Sequence, residues 1–228
     1  MHHLLVGLTT VALLLGAVGD VKAGIIFTDN FNNGASPLWG DERGNWTASG
    51  GVYFAQSPSN SPLTYTSLPF NLTDFSVDVD INKVQDGGIW LRGNSDVGGV
   101  LLNTGGLGGT GTGLYWQIGT SGGLVSGIYD PVSGLLTPGV SDIHLHVVVS
   151  GDTYEAFLNN SSTPATTFTT DLFASGRVAL YDNSNQTFDN FVLATSVPEP
   201  ATVILFGIGI AGVIASRRRE QRQRGVAA

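Results

Sequence analysis

The chain has 228 residues, no cysteine, and 18 acidic against 10 basic residues, for a net charge of −8. Without cysteine there is no disulfide framework, no thiolate metal site and no cysteine nucleophile, so stability rests on a core or on bound ions. The negative balance argues against nucleic acid and anionic surfaces as partners.

The chain opens on an apolar run, Leu4 to Val18, followed by small residues around Val21-Lys22-Ala23. Residues 1–23 therefore read as a secretory signal peptide, with cleavage after Ala23 and Gly19 as the second position. His2 and His3 stand where Lys or Arg is usual, and an uncleaved N-terminal membrane helix is the alternative. Either way the chain is exported. Residues 24–200 retain only Arg43, Lys83, Arg92 and Arg177 as basic residues against 16 acids, a net of about −12.

Residues 24–195 show no sustained helical period, and turn residues recur at short intervals. The expectation is an all-β sandwich or barrel. Predicted strands run over 24–31, 45–47, 51–55, 63–66, 75–82, 89–92, 100–103, 114–118, 124–129, 143–149, 153–158, 165–170, 176–181 and 187–194. The cleanest alternation is Phe75 to Asn82, with Phe75, Val77, Val79 and Ile81 inward and Ser76, Asp78, Asp80 and Asn82 outward. Between Gly98 and Gly123, 11 of 26 residues are Gly, which predicts flexible connections. A loop is expected from Pro131 to Pro138. No fixed-period repeat is present, which sets propellers and solenoids aside.

Carbohydrate recognition needs aromatic platforms beside planar polar groups. Strand alternation puts Trp90 with Arg92, Tyr115 with Gln117, and His144 with His146. If these strands line one concave sheet together with Asp78 and Asp80, they form a polar-aromatic groove. The alternative is Trp90 in the core with Arg92 paired to an Asp. The spacing of His144 and His146 suits chelation of a metal, but the sequence signals no third ligand. Asp29-Asn30 and Asp189-Asn190, at the two ends of the domain, are the candidate calcium oxygens. No other cofactor is expected.

After a short tether, Thr195 to Val197, comes Pro198-Glu199-Pro200, an uncharged run from Ala201 to Ala215, and Arg217-Arg218-Arg219 with Arg222 and Arg224. As a helix the run spans roughly 22 Å against a hydrocarbon core of about 30 Å. Ser216 and snorkelling Arg stems extend it to a marginal transmembrane span over 201–216. The Arg cluster keeps this end in the cytoplasm, so everything before Pro198 faces outward.

The order of Pro198-Glu199-Pro200, apolar span and Arg217 to Arg219 resembles the PEP-CTERM sorting signal of Gram-negative bacteria, here over 196–228. That resemblance implies processing by an exosortase, a membrane transpeptidase, and a link to exopolysaccharide and biofilm. The strand succession resembles a concanavalin A-like, laminin G-type jelly roll. It is carried by Thr28-Asp29-Asn30-Phe31, Gly50-Gly51-Val52, Phe75 to Asn82, Gly88-Ile89-Trp90-Leu91-Arg92, His146 to Asp152 with Phe157-Leu158-Asn159, Ser175 to Leu180, and Phe188-Asp189-Asn190-Phe191. Laminarinase-type glucanases on this fold carry two Glu flanking an Asp on one strand. The nearest match here, Asp78-Val79-Asp80, lacks both, and the only Glu residues in 24–200 are Glu42, Glu155 and Glu199. Asp78 and Asp80 are thus weak catalytic candidates, about 7 Å apart along the strand where a retaining pair stands at about 5–5.5 Å. The expectation is an exported, surface or matrix protein that binds glycan. Its partners are an exosortase-type enzyme, a polysaccharide and the membrane through 201–216, and not nucleic acid. The alternatives are a glycoside-active enzyme and a structural matrix protein with no small ligand.

Overall fold

The run from Phe75 to Asn82 alternates without a break: its four apolar side chains are buried and the four polar ones half-buried. The computed structural model describes residues 23–94, 98–105, 113–120 and 124–195. Nearly all of the expected signal peptide, and the expected sorting signal and membrane span over 196–228, lie outside the described residues. So do residues 106–112 of the glycine-rich stretch.

Among the described residues, fourteen strands form two antiparallel sheets and there is no helix. They are β1 (Ile25–Asp29), β2 (Trp46–Ser49), β3 (Val52–Ala55), β4 (Tyr65–Ser67), β5 (Phe75–Asn82), β6 (Gly87–Gly93) and β7 (Gly99–Asn103). They continue with β8 (Gly113–Thr120), β9 (Leu124–Ser133), β10 (Ile143–Ser150), β11 (Thr153–Leu158), β12 (Thr166–Thr169), β13 (Arg177–Asp182) and β14 (Thr187–Thr195). One sheet has eight strands in the order β12-β11-β10-β5-β14-β3-β2, with β1 also paired to β14; the other has six in the order β4-β13-β6-β7-β8-β9. This is the expected jelly-roll sandwich.

The core between the sheets takes Phe75, Val77, Val79, Ile81, Leu145 and Val147 from one side and Ile89, Leu91, Leu102, Trp116, Val178 and Leu180 from the other. At one end the aromatic rings of Phe27, Phe31, Trp39, Trp46, Tyr53, Phe188 and Phe191 replace aliphatics, with Phe31 stacked on Tyr53 at 4.9 Å between ring centroids. The β2–β3 hairpin turns through Gly50 and Gly51, whose φ values of 66° and 83° match the double left-handed turn that such hairpins favour.

Several strands outrun their expected limits, β6 and β8 among them, and β9 does so by the most. β9 continues through Asp130 and Pro131 to Ser133 instead of ending at Tyr129. It is an edge strand, where a missing proline N–H costs no ladder bond, and Asp130 at φ 43° accompanies shifts in its register with β8.

Asp29 closes the first loop. Its carboxylate accepts hydrogen bonds from the Phe31 N–H at 3.0 Å, the Ser36 N–H at 2.8 Å and the Trp39 indole N–H at 3.1 Å. We expect Asp29→Ala to lower the urea unfolding free energy by about 2–3 kcal/mol, because two backbone donors and one indole lose a charged acceptor at once. An unchanged urea midpoint would remove this role.

Candidate functional site

The six-stranded sheet buries residues on both faces. On the face turned away from the sandwich core, strand pairing sets two parallel rows. One reads Tyr65, Tyr181, Gly88, Asn103, Tyr115; the other Ser67, Ala179, Trp90, Leu101, Gln117. Leu63, Tyr65, Trp90, Leu101, Ala179 and Tyr181 form their own apolar cluster, separate from the main core. Gly88 puts no side chain in the first row between Tyr181 and Asn103, and a Cβ there would stand 2.0 Å from the Leu102 carbonyl oxygen, so neighbouring backbone already fills the position.

Polar groups are threaded through this surface. The Asn103 amide donates to Gln117 Oε1 at 2.7 Å, and Gln117 donates onward to the Gly127 carbonyl at 3.1 Å. The Trp90 indole N–H is buried with no hydrogen-bond partner among the described residues. Burial, reinforced by the neighbouring Asp86 charge, pushes the Tyr115 phenol up to about 12. The same two effects raise Tyr181, with Tyr115 and Asp182 adding to them. Both phenols therefore stay neutral at ordinary pH and keep a proton to donate.

Trp90, Tyr115 and Gln117 thus share a face as the alternation predicts, but Arg92 does not join them. A register shift between β13 and β6 falls beside Arg92, which takes φ 49° and breaks the alternation. The guanidinium, 2% exposed, turns to the chain's own backbone. It donates to the carbonyls of Thr73, Phe173 and Gly151 at 2.6–2.9 Å and to the Tyr154 hydroxyl at 3.3 Å. It also lies 5.3 Å from the centroid of the Tyr154 ring and 3.6 Å from Asp74. Its surroundings are those of a rivet between loops.

Asp78, Asp80, His144 and His146 lie on the outer face of the other sheet, so the single groove that would have joined them to Trp90 and Tyr115 does not form. Adjacent strands β5 and β10 pair His144 with Asp80 and His146 with Asp78. His144 Nδ1 stands 2.7 Å from Asp80 Oδ1, and His146 Nδ1 stands 2.7 Å from Asp78 Oδ1. An ionised carboxylate only accepts, so each imidazole donates through Nδ1. On β14 a register shift between Asp189 and Val192 accompanies Asn190, whose amide donates to Asp80 Oδ2 at 2.8 Å. Half-burial works to raise the Asp78 carboxyl, but the hydrogen bond and charge of His146, seconded by His144, more than offset it and hold the group below the usual range.

The candidate calcium residues are only partly gathered. Asp29, Asn30 and Asn190 line one open cavity of about 520 Å³ with Thr28, Asn33 and Ser36. The Asp29 carboxylate is occupied by the loop donors given above. Asn30 Oδ1 accepts from the Asn32 N–H, and Asp189 Oδ1 from the Asn190 N–H.

Sequence reasoning missed Tyr181, Asn103 and a buried polar node under the β13–β14 turn. Asp182 is fully buried there; its Oδ1 accepts from the Ser184 N–H at 2.9 Å and its Oδ2 has no partner. Gln186, also fully buried, accepts at Oε1 from the Gln85 N–H and the Thr104 hydroxyl, while its Nε2 is unpaired. Asp86 accepts from the Asn183 amide at 2.6 Å, tying this turn to the one before β6. Tyr181 alternates visibly with Leu180, but only the pairing of β13 with β6 puts it beside Trp90.

Residues 196–219 match the family model described as the PEP-CTERM protein-sorting motif. No curated protein sequence matches the chain. Among solved structures, the carbohydrate-binding module CBM66 of Bacillus subtilis is similar with a TM-score of 0.52 and 15% identity, over 70% of this chain and 93% of that one. SCLam, a non-specific endo-β-1,3(4)-glucanase of family GH16, is similar with a TM-score of 0.53 and 8% identity, over 78% and 92%. The Bacillus licheniformis β-glucanase gives 0.51 and 11% over 77% and 100%. These identities speak for the fold alone. The chain carries a PEP-CTERM sorting motif behind a jelly-roll sandwich of the concanavalin A-like kind.

Proposed function

We propose that this is an exported cell-surface protein, processed or anchored through its PEP-CTERM signal, that binds glycan on the outer face of its six-stranded sheet. The observation that carries this reading is the double row described above. Tyr115 and Tyr181, 6% and 3% exposed, stand in the row interrupted by Gly88, and beside it Trp90 holds a buried indole N–H with no acceptor among the described residues. Apolar ring faces combined with a few aimed donors are what a sugar ring requires. The partners this implies are an exosortase-type enzyme for the C-terminal signal and a surface polysaccharide for the sandwich. The similarity in fold to a carbohydrate-binding module supports the same reading.

Binding is favoured over hydrolysis by the placement of the carboxylates. Asp78 and Asp80, the candidate catalytic pair, lie on the eight-stranded sheet, hydrogen-bonded to the histidines of the adjacent strand. The test is affinity electrophoresis and calorimetry of the full chain in detergent against a panel of neutral polysaccharides. Tyr115→Ala and Tyr181→Ala are each expected to weaken binding about tenfold, the loss typical of one stacking or packing ring. Trp90→Phe, which keeps a smaller aromatic ring and deletes the N–H, is expected to weaken it several-fold. Retention unchanged in all three variants would place the ligand elsewhere, and no retention by any polysaccharide would remove the reading.

A further inference from the structure

The buried node under the β13–β14 turn has an ordered layout. Asp182 pairs with Gly87 across β13 and β6, and the Thr104 N–H donates to the Gly87 carbonyl at 2.9 Å. Asp182, Gly87 and Thr104 therefore make one cross-strand row. Gly87 contributes no side chain, and the Gln186 carboxamide takes its place: a Cβ at Gly87 would stand 2.6 Å from Gln186 Cδ. The amide is thus seated between the Thr104 hydroxyl and the Asp182 carboxyl, and all three side chains are fully buried. Gln186 Oε1 accepts from the Gln85 N–H at 3.1 Å and from the Thr104 hydroxyl at 3.3 Å. Gln186 Nε2 and Asp182 Oδ2 have no partner among the described residues, although bare donors and acceptors in a dry site cost stability.

We infer that Thr104 and Gln186 are a modification site, at which the chain joins them by an intramolecular ester and releases ammonia. Thr104 Oγ1 attacks Gln186 Cδ; the Oγ1–Cδ bond forms and the Cδ–Nε2 bond breaks. The hydroxyl proton passes through Asp182 Oδ2 to the departing nitrogen, which leaves as ammonia. No oxidant or co-reactant takes part. The nucleophile is held beside its carbonyl, which replaces a bimolecular encounter with a local one. The Gln85 N–H points at the oxygen on which negative charge develops. Burial raises the Asp182 carboxyl to about 6, so it gains and loses a proton near neutral pH. The same burial keeps out the water that would hydrolyse the ester.

The two unpartnered atoms then have roles: Nε2 is the group that leaves, and Oδ2 carries the proton to it. The link closes a loop of 82 residues. It ties the end of β7, in the six-stranded sheet, to the start of β14, in the eight-stranded sheet. In a chain without cysteine it supplies the covalent bridge between sheets that a disulfide would otherwise make.

The test is mass spectrometry of the purified full chain after denaturation and digestion with trypsin. No Lys or Arg lies between Arg92 and Arg177, or between Arg177 and Arg217, so Thr104 and Gln186 fall in different peptides. In the linked chain those two peptides are expected as one species, lighter than their sum by one ammonia. Thr104→Ser keeps a hydroxyl and is expected to keep the link; Thr104→Val and Gln186→Met are expected to abolish it. Asp182→Asn removes the proton carrier and is expected to lower the linked fraction at least about tenfold. Stability comparisons at Asp182 belong in the Thr104→Val background, where neither chain is linked. Separate peptides of full mass from the wild-type chain overturn the inference and leave an internal water as the partner of the two bare atoms. A link that survives in Thr104→Val overturns it as well.

Discussion

Replacing Arg92 with Met is expected to destabilise the sandwich by about 3–5 kcal/mol, the largest single-residue effect the structure implies. The guanidinium is the common acceptor-seeking centre for carbonyls from three separate segments, at Thr73, Gly151 and Phe173. Those segments precede β5, join β10 to β11, and precede β13, so one side chain closes loops from both sheets over the core. Methionine fills part of the volume but leaves the carbonyls and the Tyr154 hydroxyl without their charged donor. Lysine keeps the charge on a single point and cannot span the same fork, so Arg92→Lys should recover less than half of the loss. Urea unfolding followed by tryptophan fluorescence measures both. A midpoint within about 0.3 M of wild type for Arg92→Met would show that the carbonyls find other partners.

The second large effect concerns Asp182. Burial raises its carboxyl to about 6, against the backbone N–H groups of Ser184, Gln186 and Asn185, which lower it, and with the Asp86 charge adding to the rise. The ordinary value of 3.8 applies in the unfolded chain. A folded-state value above the unfolded one means that the folded form holds the proton more tightly. Its stabilising contribution is complete below about 3.8 and is lost as pH rises through about 6. At pH 7 the ionised group therefore costs about 3 kcal/mol relative to its protonated form. Asp182→Asn keeps an acceptor at Oδ1 and puts a neutral amide where Oδ2 now lacks a partner. The variant is expected to be more stable than wild type at pH 7, with the difference shrinking to near zero at pH 4. A wild-type-minus-variant Tm difference that stays flat from pH 4 to pH 8 would contradict this.

The fold was legible where one strand carried its own evidence. Phe75 to Asn82 and Ile143 to Val149 alternate so strictly that face and depth follow from side-chain chemistry alone. The same alternation placed Tyr115 and Gln117 together, and it failed at Arg92, because a register shift and a positive φ turn a residue over without changing its neighbours in sequence. What sequence could not give was which strands lie side by side. The histidines were expected beside Trp90, but β5 and β10 sit in one sheet and β6 and β8 in the other. Tyr181 and Asn103 went unnoticed because an isolated tyrosine or asparagine at a strand end carries no sign of the partner it will face.

The chain ends of the sandwich meet. Gly24 donates its N–H to Thr195 Oγ1 at 2.8 Å, and Thr195 returns its own N–H to the Gly24 carbonyl at 2.9 Å. Any pull from a C-terminal attachment enters the domain at Thr195 and runs along β14, which is paired to β5 on one flank and to β1 and β3 on the other. Ladder bonds lie perpendicular to such a load, so they bear it in parallel and shear together instead of unzipping one at a time. With the C-terminal signal as an attachment, load therefore reaches β14, a strand paired on both flanks, before any other part of the sandwich.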